Sequence, residues 1–175
     1  YPSFEKLIAE NTSREAVRIA KVLSSVLIEE DTQLRADRLP KAFLKHIQEL
    51  RHDARIFKLK IFNPSGTIVY STEPEEIGRL NEEDYFRHVV TTGGSKAQEI
   101  PKNEQTLERQ VLPTDVIETY VPIMKGEKML GVFEIYYNIS AEKDRLRSLI
   151  SRSTAALATA AAILLLVLVL ILRRA

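Results

Sequence analysis

The run from Arg55 to Ser71 reads R-I-F-K-L-K-I-F-N-P-S-G-T-I-V-Y-S. Phe57, Leu59 and Ile61 alternate with Lys58 and Lys60, the period of two that marks a β-strand with one apolar and one polar face. Asn63-Pro64-Ser65-Gly66 follows, with proline second and glycine fourth as a β-turn favours. Thr67–Ser71 then returns as the second strand of a hairpin. Downstream, Val116–Ile123 and Met129–Tyr137 carry the strongest strand patterns, joined by the turn Lys125-Gly126-Glu127-Lys128. Lys96–Ile100 reads as a further strand. Residues 101–115 are polar and irregular, broken by Pro101 and Pro113.

Helical periods surround these strands. Over residues 3–30, Ala16, Ile19, Ala20, Leu23, Val26 and Leu27 form one apolar stripe. Phe4, Leu7 and Ile8 continue it thinly, interrupted by Asn11, Thr12 and Ser13, so the start resembles a stalk more than core. A second helix is expected from Pro40, at a first helical position, to His52, with Phe43, Leu44, Ile47 and Leu50 inward. Asn81 precedes E-E-D and is expected to cap a short helix carrying Tyr85, Phe86, Val89 and Val90, which Gly93-Gly94 ends. From Ala141, with Ser140 as cap, a last helix runs without proline or glycine to the end. The expected fold is α+β: a five-stranded antiparallel sheet with helices on one face.

Between Arg152 and Arg173 lie twenty uncharged residues. At about 1.5 Å per residue they span roughly 30 Å, the hydrocarbon thickness of a bilayer. A buried soluble helix fits poorly, because Ile163–Leu172 is apolar on every face. A secretory signal is N-terminal and shorter. Thr154, Ala156, Ala158, Ala160 and Ala162 provide small residues at four-residue spacing, which permits close helix pairing; alanine is also simply a good helix former. Leu146, Ile150, Ser153 and Leu157 are spaced as a pairing seam. Arg173 and Arg174 favour a cytoplasmic C-terminal side, while Lys143, Arg145, Arg147 and Arg152 argue the other way. Long domains translocate largely regardless of charge, so the domain is placed outside and the Arg pair inside.

Setting aside Arg152, Arg173 and Arg174 leaves 22 basic against 24 acidic residues over 1–150, a net charge of −2. Such a balance offers no basic face for nucleic acid. With no cysteine, disulfides and thiolate chemistry are excluded. His46, His52 and His88 lack metal-site spacing, and no phosphate loop or nucleophile elbow occurs. No catalytic residue, metal or cofactor is therefore expected in this segment. Glu73, Glu75, Glu76, Glu82, Glu83 and Asp84 lack calcium-loop spacing and read as a solvated loop and helix start. The chain opens on Tyr1, which suggests a segment of a longer protein.

The layout resembles the extracytoplasmic PAS-like, or Cache, sensor domains of bacterial receptors, over roughly residues 3–145. The long first helix carries the resemblance, with I-F-K-L-K-I-F-N-P-S-G-T-I-V-Y-S-T, E-E-I-G-R-L at 75–80 and D-Y-F-R at 84–87. The closing hairpin E-T-Y-V-P-I-M-K-G-E-K-M-L-G-V-F-E-I-Y-Y-N-I-S adds to it. It is similar to the single-module type of citrate and C4-dicarboxylate sensor kinases. The resemblance implies a sensor domain at 1–140, a helical stalk at 141–152, a transmembrane helix at 153–172 and the start of a cytoplasmic segment at 173–175. It also implies a bacterial inner-membrane receptor with its domain in the periplasm or outside the cell. The parent chain would be a sensor histidine kinase first, a diguanylate cyclase or chemoreceptor next; a passive membrane-anchored binding domain is the contrasting class.

In such domains the cavity lies between the sheet and the segments after the first hairpin. Those segments supply Tyr70, Arg79, Tyr85, Phe86, Arg87, His88, Lys96, Glu118 and Tyr120. Arginine pairs with carboxylates and tyrosine offers a ring and a hydroxyl, which suits a small, anionic ligand. Taken singly, Tyr85 and Phe86 also read as core and Arg87 and His88 as solvent-facing. The partners expected are such a ligand, the lipid bilayer and a second copy of the chain. The stretch 138–153 contains no glycine or proline, which favours mechanical coupling over a loose tether.

Overall fold

A computed structural model describes residues 2–29, 34–36, 39–53, 56–81 and 83–174. Glu82, and the side chains of Phe4, His52 and Asp84, lie outside the described residues. The chain divides into two compact units, Tyr1–Ile139 and Ser140–Ala175.

In the first unit, helix α1 (Pro2–Glu29) buries Ala16, Ile19, Ala20, Leu23 and Leu27, the stripe read from the sequence. Helix α2 (Lys41–Asp53) buries Phe43 and Ile47 on the same core. Pro40 stands just before α2, its carbonyl accepting the Leu44 amide at 3.1 Å, and not at the first helical position. Strands β1 (Ile56–Phe62), β2 (Ile68–Ser71), β3 (Lys96–Ile100), β4 (Val116–Lys125) and β5 (Lys128–Asn138) form one antiparallel sheet in the order β2-β1-β5-β4-β3. The first strand thus lies beside the last, with Leu59 opposite Ile135 and Ile61 opposite Phe133.

The sheet is covered on both faces, not on one. Leu59, Ile61, Val121, Ile123, Phe133 and Ile135 pack with α1 and α2. On the other face, Phe62, Ile68, Tyr120 and Val132 pack with Phe86 and Val89 of helix α3 (Asp84–Thr92). Consecutive burial along β4 and β5 follows from this, since only a strand covered twice hides both of its side-chain rows.

Local chemistry sets the connections. Asn63 Oδ1 accepts the amides of Ser65 and Thr67, and Gly66 takes φ 88°. A Cβ at Gly66 would meet the Asn81 carbonyl oxygen at 2.5 Å, so glycine is needed for conformation and for space. Asn81 does not cap α3: the helix starts at Asp84, and Asn81 Oδ1 accepts the Glu83 amide at 3.1 Å in a turn just before it. Gly93 ends α3 at φ 64°. Residues 101–115 are more ordered than expected. They fold back as a small hairpin closed by the bridge Gln105–Val111, with Arg109 at φ 62° near its tip.

The second unit is helix α4 (Ser140–Arg174), 35 residues long. It is long and apolar enough to cross a membrane, and only Ile139 separates it from the end of β5.

Candidate ligand-binding site

On the α3 side of the sheet, β1 places two lysines where alternation predicted a solvent row. Lys58 and Lys60 are 1% and 0% exposed. Lys58 Nζ donates to Glu76 at 2.5 Å, Glu73 at 2.7 Å and Gln110 at 2.9 Å. Lys60 Nζ pairs with Glu108, and lies 3.3 Å from Glu134 and 3.7 Å from Glu76. Glu76, in a 3-10 turn at Pro74–Glu76, also accepts from Ser71 Oγ at 2.7 Å and Gln110 Nε2 at 2.9 Å. The sequence suggested a solvated acidic loop here, but the Glu76 carboxylate is buried among these donors. Among the described residues no carboxylate and histidine group is arranged to hold a metal ion.

Deeper in, Glu118 of β4 stands opposite Tyr136 of β5, and Glu134 of β5 opposite Tyr120 of β4. The Tyr120 hydroxyl lies 2.9 Å from Glu118 Oε1 and 2.5 Å from Glu134 Oε1. The Tyr136 hydroxyl lies 3.0 Å from the same Glu118 oxygen and also contacts Glu134 Oε1. Four oxygen–oxygen contacts share two hydroxyl protons, so the cluster is built to hold a further proton. Burial accordingly pushes Glu134 up to about 7, against the attraction of Lys60. Burial also raises Glu108, likewise opposed by Lys60. Glu76 goes the other way. Burial works against its charge, yet the bonds from Lys58, Gln110 and Ser71 hold it down at about 2. For Lys60 burial is outweighed by Glu134, Glu108 and Glu76, which keep it firmly protonated.

A cleft of about 440 Å³ opens above this floor, lined by Ile68, Glu76, Arg79, Leu80, Asn81, Glu83, Glu108 and Gln110. Of the residues read from the sequence, Arg79 stands exposed on this cleft. Tyr85, Glu118 and Tyr120 join the buried cluster: the Tyr85 hydroxyl accepts from Asn81 Nδ2 at 2.7 Å and meets Tyr120 at 3.4 Å. Lys96 lies 5.5 Å from the Tyr85 ring centre. Phe86 is core, 5.1 Å from Phe62. Arg87 and His88 are exposed, Arg87 on a separate hollow beside Pro64 and Val90. Tyr70, opposite Ile61 in the register, packs on the α1–α2 core and so faces away from the cleft. Sequence reasoning missed Lys58, Lys60, Glu76, Glu108, Gln110, Glu134 and Tyr136. A signal was present in the two lysines inside an otherwise apolar strand, and in Glu134 inside V-F-E-I-Y-Y.

The fold is PAS-like, shared with solved sensor domains. The Escherichia coli DcuS sensor domain superposes with a TM-score of 0.57, covering 81% of this chain and 98% of that one at 12% identity. The extracellular domain of vpHK1S-Z8, assigned as a histidine kinase, aligns at a TM-score of 0.51 over 84% of this chain and 56% of that one, at 16% identity. The ligand-binding domain of the Pseudomonas aeruginosa amino acid chemoreceptor PctC, solved with GABA, aligns at 0.50 over 80% and 60%, at 12% identity. No protein-family model matches the chain. An ankyrin repeat-containing protein of Caenorhabditis elegans is 27% identical over 164 residues, which cover 89% of this chain but only 14% of that protein's length.

Proposed function

We propose that residues 1–140 are the extracytoplasmic ligand-sensing domain of a bacterial transmembrane receptor. Residues 141–152 are its helical stalk, 153–172 its membrane helix and 173–175 the start of its cytoplasmic segment. The reading places the helix in the inner membrane and the domain in the periplasm or outside the cell. A sensor histidine kinase is the favoured parent, with a chemoreceptor or diguanylate cyclase as alternatives. One observation carries the reading: two buried lysines and the buried carboxylates of Glu76, Glu118 and Glu134 form the floor of an open cleft. Burying charge costs several kcal/mol per ion, and apolar replacements would serve stability as well or better. A charged floor under a cleft is instead what a polar binding site needs.

The lining also speaks to the ligand. The acidic lining, Glu76, Glu83 and Glu108, is paired with Lys58, Arg109 and Lys60, and Arg79 is the basic residue of the lining; with Glu73, Glu118 and Glu134 close by, carboxylates still outnumber cations around the cleft. The lysines beneath are already matched by carboxylates. The ligand proposed is therefore small and polar, with a positive group toward Glu83 and Glu108; an anionic group is met only at Arg79. Binding biases two arrangements of the domain, and a homodimer of such chains passes the bias through the membrane helix. The test is thermal stabilisation of the whole chain in detergent by panels of organic amines, amino acids and dicarboxylates, with mass spectrometry for any co-purified ligand. Amine-bearing compounds should stabilise, and Glu108→Gln should remove the effect. Stabilisation by dicarboxylates alone would sink the charge assignment, and stabilisation by none would sink the sensing reading.

A further inference from the structure

We infer that the hairpin at residues 101–115 is a strap that links the cleft to Asn138 and Ile139, the residues that precede α4. The inference rests on the cleft being the ligand site, since that gives the strap something to respond to. Its tip lies on the charged floor. Glu108 pairs with Lys60, Gln110 contacts both Lys58 and Glu76, and the Leu107 amide donates to Glu118 at 3.3 Å. Arg109 reaches Glu83 on the opposite lip of the cleft, 3.4 Å away. Glu108 and Gln110 are themselves cleft lining. A ligand in the cleft therefore meets the strap's tip directly.

The strap's base lies elsewhere. The Asp115 carbonyl accepts the Ile139 amide at 3.0 Å, and Thr114 Oγ1 donates to Asn138 Oδ1 at 3.0 Å. Asn138 and Ile139 are the last two residues before α4. Tip and base are joined stiffly. The Thr106 amide donates to the Gln110 carbonyl at 2.9 Å, the Asn103 amide to Leu112 at 2.8 Å, and Leu112 packs with Ile100, Val116 and Tyr136. A shift of the tip is thus carried to the base as one body instead of being absorbed by a floppy loop. The route runs from cleft lining through one short hairpin, continuous with β3 and β4, to the end of β5 and the residue that leads into the helix.

Amide hydrogen exchange, followed residue by residue on the whole chain in detergent micelles, tests this with no ligand present. Glu108→Gln weakens the tip's hold on Lys60. Exchange should accelerate at least tenfold at Asn103 and Thr106 and, by a comparable factor, at Ile139. Val132 and Phe133, in the β1–β5–β4 ladder, should not change. Faster exchange in the strap with Ile139 unmoved would overturn the coupling, and so would no change at either place. If Glu108→Gln loosens the ladder as well, Gln110→Ala at the half-buried rim decides by the same criterion. Because no ligand is added, failure here leaves the sensing proposal standing, and absence of ligand binding leaves this coupling measurable.

Discussion

Three carboxylates, Glu76, Glu108 and Glu134, converge on the Lys60 ammonium. Lys60→Met should destabilise the chain by about 3–5 kcal/mol in urea unfolding, because it strands buried negative charge. Adding Glu134→Gln to that variant should return part of the loss; a purely additive double mutant would mean the two do not interact. Glu134 also sets a pH dependence. Its folded pKa of about 7 lies above the ordinary 4.5, so the folded state binds the extra proton. Stability from this group is full below pH 4.5 and is lost as pH rises to 7, by roughly 3 kcal/mol in total. Glu76, held down at about 2, acts oppositely: its contribution is full above 4.5 and is lost as pH falls toward 2. The chain should therefore be more stable near pH 5 than near pH 7.5, and Glu134→Gln should flatten that slope. A slope of the same size in the variant would assign it to another group.

At the level of elements, Gly66 and Gly126 make a matched pair. Both have positive φ, 88° and 62°, but a Cβ at Gly126 meets nothing within 4 Å. Gly126→Ala should cost about 1 kcal/mol, the left-handed penalty alone. Gly66→Ala adds the collision with the Asn81 carbonyl and should cost about 1–3 kcal/mol more. Equal melting temperatures for the two would mean that the turn and the Asn81 segment are free to part. The turns and strands that these glycines serve were legible because they are written locally, in alternation and in N-P-S-G. The cleft floor was not. Lys58 and Lys60 satisfy the alternation of an exposed strand face, and the partners that bury them are remote in sequence, Gln110 lying 52 residues from Lys58 and Glu134 farther still from Lys60. The hairpin at 101–115 was equally hidden, since one bridge between Gln105 and Val111 leaves no period to read. Tyr85, Glu118 and Tyr120 were named through the resemblance, which points to segments, and they sit in the buried cluster. The same pointer also took in Tyr70, whose register turns it to the other face, and Arg87 and His88, which α3 directs outward.

For the molecule as a whole, the expected functional unit is a homodimer paired along residues 3–15 and 141–160. Leu7 on α1 is 48% exposed and Leu149 and Leu157 on α4 are 62% and 72% exposed, so apolar surface remains to be covered. Cysteines placed singly from 141 to 160 in native membranes should crosslink with a period of three to four residues. Uniform absence of crosslinks would leave α4 as a tether. The strand order has a separate consequence, for biosynthesis. Lys60 leaves the ribosome 48 residues ahead of Glu108 and longer still ahead of Glu134, and β1 cannot find its neighbour β5 until nearly the whole domain has been made. A nascent chain halted before β5 lacks Glu134 for Lys60 and the central strand that joins β1 to β4, so it stays open to proteases and chaperones. The domain closes late and at once, after the strand that leads into α4 has emerged.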